Sequence, residues 1–205
     1  MRITEEYYEK ALDFLGDHYH KDEPLHGSSG AMLGEEAREI HMEALSQNIS
    51  VMIVNEKDGE VMALITNQVF KKGECHGDGK IEDFGLRAVY AFVNYCEKKL
   101  NIFEHFNVTE AVNLFSLASN RKYRRKGLGT KVIQASLAMF RNFGVGNICV
   151  KTEGSSTFSQ KIFENVGMVC LHEEVYTDYK VDGKKVFEDT GIHNSVKIYG
   201  MMIKG

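Results

Sequence analysis

The sequence predicts an α/β fold in which short strands alternate with helices. In the second half of the chain, apolar β-rich runs at residues 112–117 and 147–151 alternate with helical patterns at residues 131–143 and 159–166. Two further β-rich runs follow at residues 169–175 and 196–203. Because a strand–helix–strand unit normally pairs its strands in parallel through a crossover, this order predicts a sheet with parallel strands.

The first half of the chain predicts three helices and a β-hairpin. The helices are expected at residues 5–18, 35–45 and 81–100, and the two strands of the hairpin at residues 50–54 and 61–69. Tyr8, Leu12 and Leu15 recur at helical spacing in the first helix. Asp58-Gly59 is a hairpin signal between the strands. Residues 22–30 (DEPLHGSSG) are expected to form a polar loop.

Composition excludes several classes of protein. Apolar residues make up 43% and charged residues 26% of the 205 residues, which is typical of a globular chain rather than a disordered one. The apolar runs are far too short to span a bilayer. The start of the chain lacks the apolar stretch of a signal peptide, so we expect a cytoplasmic protein. The net charge of −4 disfavours nucleic-acid binding.

Neither the cysteines nor the histidines have the spacing of a metal site. The four cysteines (Cys75, Cys96, Cys149 and Cys170) include no closely spaced pair, so we expect free thiols rather than a zinc site or a disulfide framework. His18, His20 and His26 are close in sequence, but they flank no cysteine or carboxylate at a recognised ligand spacing. We therefore expect no metal.

The segment between the strand at residues 112–117 and the helix at residues 131–143 has the chemistry of an anion site. Residues 121–131 (RKYRRKGLGTK) contain six basic residues and no acidic one. At a helix start, unpaired N–H groups and the positive end of the helix dipole attract phosphate, and glycines such as Gly127 and Gly129 allow close approach. Neither a dinucleotide fingerprint nor a P-loop is complete. The segment predicts a site for a ligand with several phosphates, with a nucleic-acid-binding module as the alternative.

Arg124-x-x-Gly127-x-Gly129, placed after a short strand, resembles the acyl-CoA signature of the GNAT N-acetyltransferase superfamily. Over nearly its whole length the chain further resembles the invertebrate arylalkylamine (dopamine-type) N-acetyltransferases. The segments that carry this likeness are Asp22-Glu23-Pro24-Leu25, Asn101-Ile102-Phe103, Ser155-Ser156-Thr157-Phe158-Ser159, Tyr176-Thr177-Asp178-Tyr179, Val186-Phe187 and His193. The resemblance implies one GNAT-like domain over residues 1–205, with a mixed central sheet, flanking helices and a splayed pair of parallel strands.

The resemblance also implies acetyl-CoA as the acyl donor. Its pantetheine arm would pair with the exposed edge of the strand that ends near residue 117, and its pyrophosphate would bind at the glycine turn. The implied cofactor-binding residues are Leu117, Ala118, Ser119, Arg124, Arg125, Lys126, Gly127, Leu128, Gly129 and Thr130.

The catalytic base implied by the family falls on Glu23, with Asp22 as the fallback carboxylate. Pro24 restricts the residue before it to extended backbone, so Glu23 is expected outside a helical conformation. A carboxylate is a weak base towards an ammonium group unless burial raises its pKa or a water relays the proton.

Two serines carry over as the partners of Glu23. Ser155 and Ser159 are four residues apart, which would place both hydroxyls on one face of a helix start. The same run is also typical of an N-cap, and Ser156 stays open as the true counterpart. Many members of the superfamily carry a proton-donating tyrosine on this helix, whereas this chain has Phe158 and Phe163.

The implied reaction is direct attack of a primary amine on acetyl-CoA in a ternary complex, by a monomer without nucleic-acid or membrane partners. An arylalkylamine is the first expectation, and an amine pocket richer in acids would instead favour agmatine or a polyamine. A catalytically silent acyl-CoA-binding protein is a third possibility. The aromatic residues considered for the amine pocket are Tyr19, Phe70, Phe84, Phe92, Phe106 and Tyr179. His193 could be either functional or structural.

Overall fold

The structure, a computed structural model that describes residues 1–77 and 81–204, contains seven α-helices and eight strands within those residues. The helices are α1 (Tyr8–Leu15), α2 (Pro24–Ser29), α3 (Glu35–Ser46), α4 (Phe84–Lys99), α5 (Ile102–Phe106), α6 (Leu128–Arg141) and α7 (Thr157–Asn165). The strands are β1 (Val51–Val54), β2 (Val61–Lys71), β3 (Glu110–Ser119), β4 (Ile148–Gly154), β5 (Val169–Val175), β6 (Lys180–Val181), β7 (Lys184–Lys185) and β8 (Ser195–Ile203). A π-helical turn at Gly16–His20 continues α1.

Six strands form a mixed sheet in the order β1-β2-β3-β4-β8-β5, which confirms the predicted α/β fold. Within this sheet β3 and β4 are parallel, and the other neighbours are antiparallel. The expectation that β4 and β5 would be parallel neighbours is wrong. β8 lies between them and pairs antiparallel with both, because the chain returns through the β6–β7 hairpin before it enters the sheet.

The parallel strands β3 and β4 stay together for only a short distance. Their register covers Val112↔Val150 and Asn113↔Lys151, although both strands continue well beyond these pairs. At the point where they part, the Thr152 hydroxyl donates a hydrogen bond of 2.8 Å to the Leu114 carbonyl oxygen. The splayed parallel pair implied by the family resemblance is therefore present.

A β-bulge lies on β3 at the same level. Thr66 on β2 pairs with Ser116, but the next residue of β2, Asn67, pairs with Leu114, which leaves Phe115 without a partner on β2. The Ser116 N–H donates instead to the Thr66 hydroxyl at 3.1 Å. Bulges increase local twist and redirect a side chain, and here the redirected side chain is that of Phe115.

Helices cover both faces of the sheet. On one face α6 contributes Val132, Ile133, Leu137 and Phe140 to a core with Ile65 of β2 and Val150 of β4. On the other face α1 packs Leu12 and Leu15 against Leu64 of β2. α4 packs on β8 through Val89 and Phe92, which contact Val196 and Ile198. Successive residues of β2, Leu64 and Ile65, face different cores, as the pleat of a strand requires.

One segment expected to be a loop is helical. Within residues 22–30, Pro24 occupies the first position of α2 and the Glu23 side chain caps that helix, which ends at Gly30 in left-handed backbone with a φ of 78°. The four cysteines are free, with Cys96 and Cys149 buried. Within the described residues, no helix has the length and apolarity needed to cross a membrane.

The Thr152–Leu114 hydrogen bond gives a first test of how the strands are held. Thr152→Val leaves the buried Leu114 carbonyl without this donor, so we expect the free energy of unfolding to fall by about 1–3 kcal/mol in urea denaturation. Thr109→Val makes the same change at an exposed residue just before β3 and should alter stability by less than about 0.5 kcal/mol. Equal effects would show that this bond has no special role at the splay.

Candidate functional site

A groove of about 710 Å³ lies where β3 and β4 diverge. Nine of the ten residues predicted to bind the cofactor line it: Leu117, Ala118, Ser119, Arg124, Arg125, Gly127, Leu128, Gly129 and Thr130. The tenth, Lys126, does not line the groove. Its ammonium lies 5.2 Å from the centre of the Tyr123 ring. The end of β3, the glycine turn and the start of α6 thus form one wall of the groove.

The glycine turn presents the start of α6 to the groove. Gly127 caps α6 in left-handed backbone, with a φ of 70° and open space around its Cα. The N–H groups of the first turn have no acceptor within the helix and carry the positive end of its dipole. A Cβ on Gly129 would lie 2.8 Å from Cδ1 of Ile162, so glycine permits close packing of α6 against α7. This arrangement suits a phosphate group.

Asp22 is held by two arginines of the turn. Its carboxylate lies 2.5 Å from the guanidinium of Arg121 and also pairs with Arg124. Burial alone would raise the pKa of Asp22, but the two guanidinium groups outweigh burial and lower it. Asp22 is therefore a poor base, which weakens its standing as the fallback for Glu23.

A smaller cavity of about 60 Å³ adjoins the groove. Five residues line both spaces: Tyr19, Glu23, Phe115, Glu153 and Ser155. The remaining wall of the cavity consists of Leu25, His26, His41, His76, Val89, Tyr90, Val93, Ser116 and Val196. Groove and cavity therefore meet at two carboxylates and a serine hydroxyl.

Most of the aromatic residues considered from the sequence lie elsewhere. Tyr19 lines the cavity, whereas the Phe84 ring is 76% exposed and Phe92 is part of the core. The sequence analysis missed Tyr90 and Phe115, the other aromatic rings of the wall. Phe115 could not be found from the pattern, because its position depends on the bulge in β3.

Glu23 is buried at this junction, with 7% of its surface exposed. Its backbone is extended, with a φ of −75° and a ψ of 123°, as Pro24 requires. As the N-cap of α2, its carboxylate accepts a hydrogen bond of 2.6 Å from the His26 N–H. Burial raises the pKa of Glu23, while the Ser155 hydroxyl and the N–H groups of His26 and Leu25 limit the rise. The carboxylate is therefore more basic than an exposed glutamate.

The two predicted serines have different surroundings. α7 begins at Thr157 with Ser156 as its N-cap, so Ser155 precedes the helix and the expected shared helical face is wrong. The Ser155 hydroxyl is close enough to Glu23 to lower the pKa of that carboxyl group. Ser159 instead closes a capping box, in which its N–H donates to the Ser156 hydroxyl at 3.0 Å and its hydroxyl accepts from the Ser156 N–H at 3.2 Å.

His193 lies in the groove wall beside the start of α7. Its Nδ1 atom accepts a hydrogen bond of 3.1 Å from the Thr157 N–H, and the exposed Phe158 ring meets its ring edge-on. Phe158 and Phe163 both line the groove, and neither side chain can donate a proton. His193 thus has a structural contact at the helix start as well as a place in the site.

Three histidines, His20, His26 and the more distant His41, meet beside Glu23. Nε2 of His20 lies 2.9 Å from Nε2 of His41, and the His20 ring stacks on the His26 ring with centres 4.5 Å apart. Burial lowers the pKa of His20 to about 3 and that of His26 to about 4, and it holds the pKa of His41 well below its ordinary value. These rings are therefore neutral at physiological pH.

Behind the cavity, a buried lysine lies among acids. The Lys151 ammonium is 3.0 Å from a Glu153 carboxylate oxygen, pairs with Glu97, and lies 3.5 Å from Nε2 of His76. The ligand atoms of His76, Glu97 and Glu153 lie within 4.8 Å of one another, but the ammonium already provides their cation. Burial would lower the pKa of Lys151, and the two carboxylates outweigh that effect and raise it. Sequence reasoning missed this cluster because its members come from three separate elements.

Comparison with known proteins identifies a family and several similar folds. The model of the family described as "Acetyltransferase (GNAT) family" matches residues 12–168. The crystal structure of arylalkylamine N-acetyltransferase 2 from Aedes aegypti superposes with a TM-score of 0.90 at 22% identity, covering 99% of this chain and 97% of that one. A polyamine N-acetyltransferase of Drosophila melanogaster, which catalyses the formation of N-acetylagmatine, superposes with a TM-score of 0.84 at 16% identity, covering 97% and 96%.

A curated relative matches a shorter stretch. N-alpha-acetyltransferase 30 of Schizosaccharomyces pombe is 32% identical over 71 residues, which cover 35% of this chain and 46% of that protein. The chain thus spans less than half the length of the curated relative that it matches.

The raised pKa of Glu23 leads to a stability test. The ordinary pKa of a glutamate is 4.5, and Glu23 lies above it in the folded chain, so the folded state binds this proton more tightly than the unfolded state. Folding stability is therefore lost as pH rises from 4.5 through the folded pKa, at about 1.4 kcal/mol per pKa unit. Glu23→Gln removes this loss and should be more stable than the wild type at pH 7, with the difference vanishing near pH 4 in denaturant titrations.

Glu164→Gln is the control for that test. Hydrogen bonds from Tyr199 and Lys197 lower the pKa of the exposed Glu164, so its ionised form favours folding and the variant should lose stability at pH 7. A Glu23→Gln protein less stable than the wild type at pH 7 would contradict the raised pKa.

Proposed function

The chain belongs to the acetyltransferase (GNAT) family, and from that premise we propose that it transfers an acetyl group from acetyl-CoA to the primary amine of a small molecule, by direct attack in a ternary complex. The observation that carries the proposal is the junction at Glu23, Glu153 and Ser155, where a groove suited to an anionic chain meets a smaller cavity lined in part by carboxylates. Such a junction can bring an amine and a thioester together.

The residues of the groove fit acetyl-CoA. Beyond Asn113, β3 has left β4, so the backbone of Leu117, Ala118 and Ser119 is free on that side to hydrogen-bond the amides of a pantetheine arm. The first turn of α6 and Arg125 would hold the pyrophosphate. Bound there, acetyl-CoA would supply an acetyl thioester at the junction.

The junction residues divide the proton transfers between them. An amine is bound as its ammonium form and must lose a proton before its nitrogen can attack, and we assign that proton to Glu23. The burial that raises the pKa of this carboxyl group makes it a better base. Ser155, directly beside Glu23, is the proposed donor to the departing thiolate, and it would regain its proton from the carboxyl group of Glu23, which holds the proton taken from the amine. Ser159, the other proposed member of the triad, lines the groove and supports this loop through the capping box.

Two substrate classes are represented among proteins of this fold, and residues of the cavity wall offer contacts to each. Tyr19, Tyr90 and Phe115 provide aromatic contacts for an arylalkylamine, and the Aedes aegypti arylalkylamine N-acetyltransferase has the same fold. Glu23 and Glu153 favour agmatine or a polyamine, and the Drosophila enzyme that forms N-acetylagmatine also shares the fold.

Other functions receive less support. A nucleic-acid-binding surface would use the basic residues of the turn, but Arg121 and Arg124 pair with Asp22, and Lys122 pairs with Glu60 at 2.9 Å. A silent acyl-CoA-binding protein would need Glu23 only as the cap of α2, whereas the raised pKa of this carboxyl group beside the groove favours a base. We further propose that residues 1–205 form one domain, which acts as a monomer in the cytoplasm with acetyl-CoA and an amine as its only substrates.

The direct test of the proposal is a thiol-release screen. Acetyl-CoA is offered with arylalkylamines, agmatine, polyamines and amino acids, and free thiol and acetylated product are measured together. We expect stoichiometric thiol and N-acetylamine with at least one small amine. CoA binding without thiol release from any amine would instead identify the silent binding protein.

Two variants separate the roles of the junction and the groove. Glu23→Ala should keep CoA affinity and lose roughly 100-fold or more of kcat, because it removes the base but no residue of the glycine turn. Gly127→Trp should lose both, because a side chain at a φ of 70° strains the cap of α6 and fills the phosphate site. CoA binding is measured by calorimetry and kcat by thiol release.

Gly183→Trp is the matched control for Gly127→Trp. Gly183 also has a positive φ, of 76°, with open space around it, but it lies between β6 and β7 rather than in the groove wall. It should keep CoA binding and turnover. Full activity in Glu23→Ala would exclude Glu23 as the base.

A further inference from the structure

The cavity beside the junction is narrow. Its volume is about 60 Å³, whereas an apolar cavity that binds benzene measures about 150 Å³. An aryl ring therefore does not fit without displacement of the wall, in which Tyr90, Val89 and Leu25 are themselves packed. An unbranched alkyl chain is slender enough to enter with little displacement.

The charges around the cavity are unbalanced. Glu23 and Glu153 line it, Glu97 lies directly behind Glu153, and the ammonium of Lys151 provides one positive charge for these three acids. Two histidines of the wall, His26 and His41, do not compensate, since burial keeps them neutral. With all three acids ionised the group would carry a net charge of −2, and burial, which raises the pKa of Glu23 and of Glu153, opposes that ionisation in the absence of a further cation. One bound ammonium neutralises half of this charge, and opposite charges attract strongly in a buried site.

Hydrogen-bonding atoms in the wall also lack partners. Within residues 1–77 and 81–204, Nδ1 of His26 and Nδ1 of His41 make no hydrogen bond, although both side chains are at least nine-tenths buried. The fully buried Ser116 hydroxyl faces the Tyr19 phenol without the geometry of an ordinary hydrogen bond. Buried polar atoms are normally satisfied, so these three indicate a ligand that carries hydrogen-bonding groups.

We propose that the cavity selects a slender aliphatic amine with a second cationic nitrogen group, either an ammonium or a guanidinium. The inference deepens the proposed function and rests on it. The reacting amine lies at the junction beside Glu23, and the alkyl chain passes between Tyr19 and Phe115. The second cationic group enters the cavity, where His26, His41 and Ser116 accept its N–H groups and Glu153 supplies its counter-charge.

An arylalkylamine meets these features less well. Its ring exceeds the volume of the cavity, it brings a single positive charge, and its ring carbons leave the buried nitrogen and oxygen atoms of the wall without partners. An aliphatic monoamine has the right width but fails on charge and hydrogen bonding. A slender dication fits the volume of the cavity, balances the charge of its acids and offers hydrogen bonds to the unpaired polar atoms.

The experiment compares amines that differ by one property at a time. Agmatine and cadaverine serve as dications, pentylamine as the uncharged-tail analogue, and 2-phenylethylamine as the aryl probe. We expect kcat/KM of the wild type to be at least 10-fold higher for the dications than for the other two. Glu153→Gln should reduce that preference about 10-fold, because it removes the counter-charge and keeps the side-chain volume.

Glu164→Gln controls for loss of an acid outside the site, and it should retain the wild-type preference. A wild type that prefers 2-phenylethylamine, or a Glu153→Gln protein that loses activity equally with every amine, would overturn the inference. Calorimetric titration of the four amines into the wild-type protein saturated with CoA provides a readout that needs no turnover. Tighter binding of the dications there supports the inference even if the screen finds no acetylation, and equal binding refutes it.

Discussion

The parting of β3 and β4 after two paired residues is the constraint on which the rest of the site depends. Backbone N–H and C=O groups that lose their partners on a neighbouring strand must form hydrogen bonds with another protein group, with water or with a ligand. Thr152 satisfies the Leu114 carbonyl, and beyond it the backbone of β3 faces the groove. The same divergence opens the groove. Phe115, whose position is set by the bulge in β3, lines both the groove and the adjoining cavity.

Two regions of opposite electrostatic potential meet at this opening. The glycine turn and the start of α6 make the groove positive, whereas Glu23 and Glu153 make the cavity negative. The buried Lys151 is stable as a cation because it pairs with carboxylates from α4 and β4. An unpaired buried charge would cost too much desolvation free energy. An anionic acyl donor and a cationic acceptor would therefore be drawn to different sides of one junction.

Much of the fold could be predicted, since it rests on local signals. The hydrophobic periodicity located α1, α3, α4, α6 and α7 and the strands of the sheet, each to within a few residues. The place of β8 between β4 and β5 could not be predicted, because strand order is set by long-range packing rather than by local pattern. α2 was missed because its six residues are too few for periodicity, although Glu23-Pro24 was in fact its capping signal.

The sequence alone was enough for the family, the basic glycine turn before α6 and the extended backbone of Glu23, because glycine spacing, clustered charge and proline act over a few neighbouring residues. It could not reveal that Glu153, Lys151 and Glu97 would form one buried cluster, or that His41 would join His20 and His26. Those contacts join residues far apart in the chain and exist because the sheet and α4 close around them. The residues of the groove could be predicted from the sequence, whereas the buried charges and histidines of the cavity are brought together only by tertiary packing.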